Sequence, residues 1–217
     1  MSNSWLERFG GFALIVGGLM ATAAHMLDYQ APVDPAQLGH YARISQPVHL
    51  VLLSGGIVVL LGCVAHVGLQ SDETRITGLL AFVLLFLGIL LADLLHCVLE
   101  ISIFPVLIAS VPYATLALAE QTYRSTPMAT LQNVGLLCLL LGVPLTGMCV
   151  LRCGVLPRWA ASPFAITSGL MVMSIFESSS VMRKVSAIAM YLSMVVLGAA
   201  IHRASGPVKT DAGPPLA

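Results

Sequence analysis

Asp93, His96 and Glu100 close the third long apolar stretch of the chain. At about 100° per residue the three fall within roughly a 60° arc, so a single helix face would carry two carboxylates with an imidazole between them. Ionisable side chains at membrane depth are costly, and where they persist they mark ion or substrate paths and proton relays.

The same residue types recur at the ends of other apolar stretches. His25 and Asp28 end the first, His49 stands near the start of the second, and Glu177 ends the fifth. Three imidazoles and up to four carboxylates are donors suited to iron, zinc or copper. The spacings His25-x-x-Asp28 and Asp93-x-x-His96-x-x-x-Glu100 put donors on single helix faces, as in helix-bundle metal sites where Glu-x-x-His pairs project inward. That likeness is one of arrangement, because the order here is Asp before His.

The expectation is therefore a divalent metal held by His25, His49, Asp93 and His96. Asp28, Glu100 and Glu177 would serve as additional ligands, bridges or acid–base groups. Several carboxylates around the imidazoles favour iron and oxygen chemistry, since a single hydrolytic zinc needs three ligands and a base. The implied activity is that of a membrane-embedded metal-dependent enzyme, an oxidoreductase before a hydrolase, acting on a small apolar or amphipathic substrate that enters from the bilayer.

Two other function classes fit the residues. Two of His25, His49 and His96 could be axial ligands of haem b, although such a haem has no need of Asp28, Asp93 and Glu100 around it. A proton-coupled transporter or a structural membrane subunit would use the same groups as a relay, but transporter sites are expected nearer the bilayer midplane. Arg43, Arg124, Arg183 or Lys184 could instead answer the carboxylates as structural ion pairs. Side chains at span ends can also simply be hydrated among the headgroups.

The elements that must position these residues are membrane helices. Hydrophobic residues make up 58% of the chain and charged residues 9%, with a mean hydropathy of +0.93, far from the roughly 25% charged residues of soluble domains. Ten basic and ten acidic residues leave no basic face for nucleic acid. The fold class is all-α: a polytopic integral membrane protein, a bundle of about six transmembrane helices in one domain over residues 1–203. The tail over residues 204–217, small and rich in Pro and Gly, is expected to be disordered.

The expected spans run over about residues 9–28, 47–69, 76–104, 128–151, 160–176 and 185–203. Polar connections fall at 29–46 and 105–127, both on one side, where His40, Tyr41, Tyr113, Glu120 and Tyr123 could form a lid over the site. Counting roughly 1.5 Å per residue along each span brings His25, Asp28, His49, Asp93, His96, Glu100, Gln132, Asn133 and Glu177 to one shallow layer.

Orientation follows from the basic residues of the loops. With the N-terminus inside, Arg8, Arg75, Arg152, Arg158, Arg203 and Lys209 are inner and Arg43, Arg124, Arg183 and Lys184 outer, a margin of six to four. Both termini are then cytoplasmic, in the inner membrane of a bacterium, with the polar layer facing outward. A small-residue run at 21–24 resembles a signal-peptide cleavage site, but Glu7 cancels Arg8, so the first span is read as retained.

The remaining signals are weaker. Cys63, Cys97, Cys138, Cys149 and Cys153 lie in or at the ends of spans and do not form an extracellular disulfide framework. Cys63 with His66, and Cys149 with Cys153, have helical spacing suited to a second, soft-metal site. Tyr191 is the aromatic hydroxyl well inside a span. The pairs Gly10/Gly11, Gly17/Gly18 and Gly55/Gly56 read as places where helices approach closely.

Overall fold

The computed structural model describes residues 4–28, 35–68, 75–110, 112, 126–177 and 179–205. Apolar sequence must satisfy its backbone polar groups internally, and the described residues do so as helices. These are α1 (Ser4–Leu27), α2 (Leu38–Gly68), α3 (Arg75–Gly88), α4 (Leu95–Ser102), α5 (Phe104–Ser110), α6 (Pro127–Arg152), α7 (Ser162–Phe176) and α8 (Ser180–Ala204). A π-helical turn, Ile89–Leu94, joins α3 to α4, and short 3₁₀ segments precede α2 (Pro35–Gln37) and α7 (Arg158–Ala161).

Six helical stretches are long and apolar enough to cross a membrane: Trp5–Leu27, Leu38–Val64, Arg75–Ser110, Pro127–Arg152, Arg158–Phe176 and Ser180–Ala204. The protein is an all-α, multi-pass integral membrane bundle. Each span packs on its sequence neighbour, and α8 closes the ring by packing on α1. Leu14, Leu52, Val59, Ile89, Met190, Tyr191, Met194 and Leu197 fill the interior, while Leu19, Leu50, Ile57, Leu61, Leu136 and Leu137 are exposed. An exposed apolar exterior is what a lipid solvent demands.

Glycine sets the closest contacts, as the paired glycines suggest. α1 carries two glycine faces, one on each neighbour. A Cβ on Gly17 would stand 2.7 Å from the Gly55 carbonyl oxygen of α2, and one on Gly11 would stand 2.8 Å from the Gly198 carbonyl oxygen of α8. Without an apolar driving force between helices in lipid, such backbone proximity supplies the van der Waals contact that holds them. At the end opposite the polar layer, Arg8 Nε donates to the Ser205 carbonyl (2.8 Å), tying the start of α1 to the end of α8.

The second span corrects the expectation most. The sequence reading opens it at Pro47 and makes residues 29–46 a polar connection. Instead α2 starts at Leu38 and Pro47 lies inside it. Proline removes one helical hydrogen bond, which membrane helices tolerate where neighbouring groups compensate. His40 and Tyr41 are therefore helical: His40 is exposed, and Tyr41 is buried with its ring edge-on to Phe104 (5.7 Å). The third span likewise runs past Phe104 to Ser110, with Pro105 inside α5. The other expected lid residues, Tyr113, Glu120 and Tyr123, lie outside the described residues, as do residues 206–217 of the expected tail.

Candidate functional site

The polar layer is built at the end of the bundle where α1 and α7 stop and α2, α6 and α8 begin. It has two parts. In the first, Asp93 of the π turn meets α8 and α1: Tyr191 Oη donates to Asp93 Oδ2 (2.7 Å), and His25 Nε2 stands 3.9 Å from the same oxygen. The His25 and Tyr191 rings lie 5.5 Å apart at 31°, so the phenol packs beside the imidazole. Tyr191 is fully buried, and the His25 and Asp93 side chains are 12% and 16% exposed.

In the second part, α4 meets α2. Ser45 Oγ donates to Glu100 Oε2 (3.3 Å) and lies 3.0 Å from His49 Nδ1. His49 Nδ1 is also 2.9 Å from the Ser45 carbonyl oxygen. A carbonyl only accepts, so this contact places the proton on Nδ1 and turns Nε2 towards Asp28 Oδ1, 4.0 Å away. His96 packs edge-on to His49, ring centroids 5.3 Å apart at 70°. Gln46 Nε2 donates to the Ile101 carbonyl (3.2 Å), fixing α2 against α4 one residue from Ser45.

The π turn explains why one expected stripe becomes two. A π turn closes i→i+5 bonds, as Leu95 N–H does to the Leu90 carbonyl, and so rotates the phase of the helix beyond it. Asp93 is thereby aimed at α1 and α8, whereas Glu100 and His96 face α2. The widened turn is packed from behind by α6, where a Cβ on Gly135 would lie 2.6 Å from the Ala92 nitrogen.

Thus His25, Asp28, His49, Asp93, His96 and Glu100 share the layer. Glu177 does not join it: it caps α7 through its backbone, is exposed, and makes no side-chain hydrogen bond or ion pair among the described residues. Asn133 is also exposed, and Gln132 is half-buried. A depth count along each span does not resolve which way these helix faces turn.

The ion-pair alternative does not form among the described residues. Among the described residues no Arg or Lys pairs with a carboxylate of the layer. Lys184 Nζ instead donates to the backbone carbonyl of Asp28, and Arg43 Nε to that of Gly39. Arg124 lies outside the described residues. Ser45 and Tyr191 are the principal members absent from the expected site. The sequence reading leaves Ser45 in a connection, because it stops the helix at Pro47, and Tyr191 carries no spacing signal to Asp93.

Among the described residues no set of three or more His, Cys, Asp or Glu side chains stands together as a ready metal cage. The five cysteines are free thiols, and Cys153 Sγ donates to the Val150 carbonyl (3.4 Å); the His66 side chain lies outside those described. Chemically, the layer offers one carboxylate held by a phenol, one imidazole with a fixed tautomer, and a serine linking that imidazole to a second carboxylate. Compared with known families, curated proteins and solved structures, the chain matches no family model, no curated protein and no solved structure.

Proposed function

We propose that this protein is a membrane-embedded enzyme whose polar layer moves protons to and from a small apolar or amphipathic substrate reached from the bilayer. The observation that carries this reading is His49. Its Nδ1 is committed to the Ser45 carbonyl while Nε2 faces Asp28 across 4.0 Å. A fixed tautomer leaves Nε2 as the exchanging atom, the arrangement of an oriented general base. Asp28, with its side chain 34% exposed, gives that base a partner at the edge of the bundle. His96 and Glu100 extend the same network on α4.

A second reading is a proton-coupled carrier. It is supported by the run of proton-bearing groups from buried Tyr191 through Asp93 and His25, beside Ser45, Glu100, His49 and Asp28. Haem ligation is less well supported, because His49 and His96 meet edge to face and not across a macrocycle. An oxidoreductase using iron is one form the enzyme could take, with His25 and Asp93 as donors to the ion.

Protein in nanodiscs, offered a panel of long-chain alcohols, aldehydes and quinones, tests the enzyme reading. Turnover of one class is expected, with His49→Gln lowering it by ~10²-fold or more, the range for loss of a positioned base. No turnover, together with substrate-driven acidification inside proteoliposomes, would assign the carrier reading instead.

We further infer that both termini face the cytoplasm of a bacterial cell and that the layer faces outward, on the six-to-four basic margin. Asp72→Cys and Arg158→Cys proteins are expected to resist an impermeant maleimide in intact cells. If one labels and the other does not, the six-span order fails; if both label, the orientation is reversed.

A further inference from the structure

Two buried side-chain polar atoms have no hydrogen-bond partner among the described residues, Thr22 Oγ1 and His25 Nε2. They stand one turn apart on α1, at i and i+3, so they share a helix face. That face meets α8. Gly18, four residues before Thr22, would bring a Cβ 2.8 Å from the Tyr191 carbonyl oxygen, and the His25 ring lies 5.5 Å from that of Tyr191. Buried threonines in helices can donate to the carbonyl four residues back, as Thr146 does to Gly142 (2.8 Å). Thr22, only 7% exposed, does not. Buried polar groups are as a rule paired with protein or with ordered water, so the two atoms point to a shared occupant.

We propose that Thr22, His25 and Asp93 bind one ordered water molecule, and that this water carries protons between Asp93 and His25. His25 Nε2 is 3.9 Å from Asp93 Oδ2, too far for a direct hydrogen bond. Two bonds of about 2.8 Å span that gap with an angle of roughly 90° at the oxygen between them. Donors and acceptors match. The Thr22 hydroxyl donates to the water, and the water donates to Asp93 Oδ2 and to Nε2 of a neutral His25. Asp93 Oδ2 keeps its second lone pair for the Tyr191 hydroxyl (2.7 Å). Three partners are what a buried water ordinarily has. When Asp93 holds a proton, it passes that proton to the water as the water passes one of its own to Nε2, leaving a carboxylate, an imidazolium and an unchanged water.

Water fits these residues better than an ion does. Zinc-class sites take three or more protein ligands, and among the described residues no third His, Cys, Asp or Glu stands with His25 and Asp93. A neutral water needs hydrogen-bond partners only. The use of the water rests on the reading of the layer as a proton path, but its binding does not. Tyr191, Asp93, the water and His25 then form one hydrogen-bonded chain. Asp28 follows His25 by one turn, its backbone N–H bonded to the Ala24 carbonyl, and its carboxylate faces His49 Nε2 across 4.0 Å. Thr22 is a positioning residue: it holds the water and gives up no proton of its own.

The test is a crystal structure in lipid, at a resolution where ordered waters are seen, of wild type, Thr22→Val and Thr22→Ser. Wild type is expected to show a peak within about 3.2 Å of all three atoms. Thr22→Val, nearly isosteric, should lose it, and Thr22→Ser, which keeps the hydroxyl, should retain it. The ¹⁵N resonance of His25 Nε2, in protein with labelled histidine, reads the same bond without crystals. It should move in Thr22→Val towards the position of an unbonded nitrogen and return in Thr22→Ser. Turnover of Thr22→Val is expected to fall ~10-fold, equivalent to one hydrogen bond of about 1.4 kcal/mol, and to recover in Thr22→Ser.

A direct His25–Asp93 hydrogen bond in the wild type, or a peak and a resonance undisturbed in Thr22→Val, would overturn the water site. A peak with bonds of about 2.0–2.2 Å would identify an ion, overturn the water and favour the iron-dependent form of the enzyme. Water lost as expected from Thr22→Val with turnover unchanged would overturn its use as a carrier while leaving the acid–base reading of His49 in place. Water present in a wild type that turns over nothing and moves no protons would uphold the binding and overturn the carriage, together with the proposed function.

Discussion

Asp93→Ala protein is expected to insert and assemble while losing turnover by ~10²–10⁴-fold, the span attributed to a positioned acid–base group. Asp93 is the meeting point of three elements: the π turn that carries it, α8 through Tyr191 and α1 through His25. Its removal leaves the Tyr191 hydroxyl buried without an acceptor, at about 1–3 kcal/mol, so melting must be measured with activity. Asp93→Asn separates the two effects. The amide oxygen still accepts from Tyr191, but the charge is gone, so stability should be retained and turnover lost. Wild-type turnover by Asp93→Asn would remove the carboxylate from the chemistry. Glu177→Gln is expected to change turnover less than about twofold, because Glu177 is exposed at the end of α7 and outside the network.

Gly17→Leu is expected to prevent recovery of monodisperse folded protein. A Cβ there would meet the Gly55 carbonyl oxygen and the Val59 nitrogen, both at 2.7 Å and both backbone. Backbone cannot rotate away as a side chain does, so α1 and α2 must separate, and with them His25 and His49. Overpacking a core costs about 1–3 kcal/mol even where side chains can shift, against total stabilities of roughly 5–15 kcal/mol. Leu19→Ala, on an exposed face of the same helix, should melt within a degree or two of wild type. Size-exclusion profiles and thermal melting in detergent make the comparison. A Gly17→Leu protein that elutes and melts like wild type would show that the two helices do not touch there.

The histidines and carboxylates of the candidate layer are legible one by one in the sequence, and its connections are not. Asp93, His96 and Glu100 announce themselves because charge inside an apolar run is rare. His25 and His49 follow from their depth along spans one and two. Ser45 escapes because Pro47 reads as a helix start, whereas in lipid a proline can be carried inside a helix. Tyr191 escapes because 98 residues separate it from Asp93, and no local spacing encodes such a contact.

Composition and hydropathy by themselves determined the all-α membrane bundle and its six spans, since a chain this apolar can satisfy its backbone in lipid only through helices or a closed barrel, and its long unbroken apolar runs favour helices. The paired glycines likewise indicated close helix contacts, because small residues are what such contacts need. Only the tertiary structure decided which donors meet. Helix rotation about its own axis leaves hydropathy nearly unchanged, and a single π turn redirects every side chain beyond it. The tertiary fold therefore turned Asp93 to Tyr191 and His25, set Glu100 and His96 against α2, and left Glu177 outside.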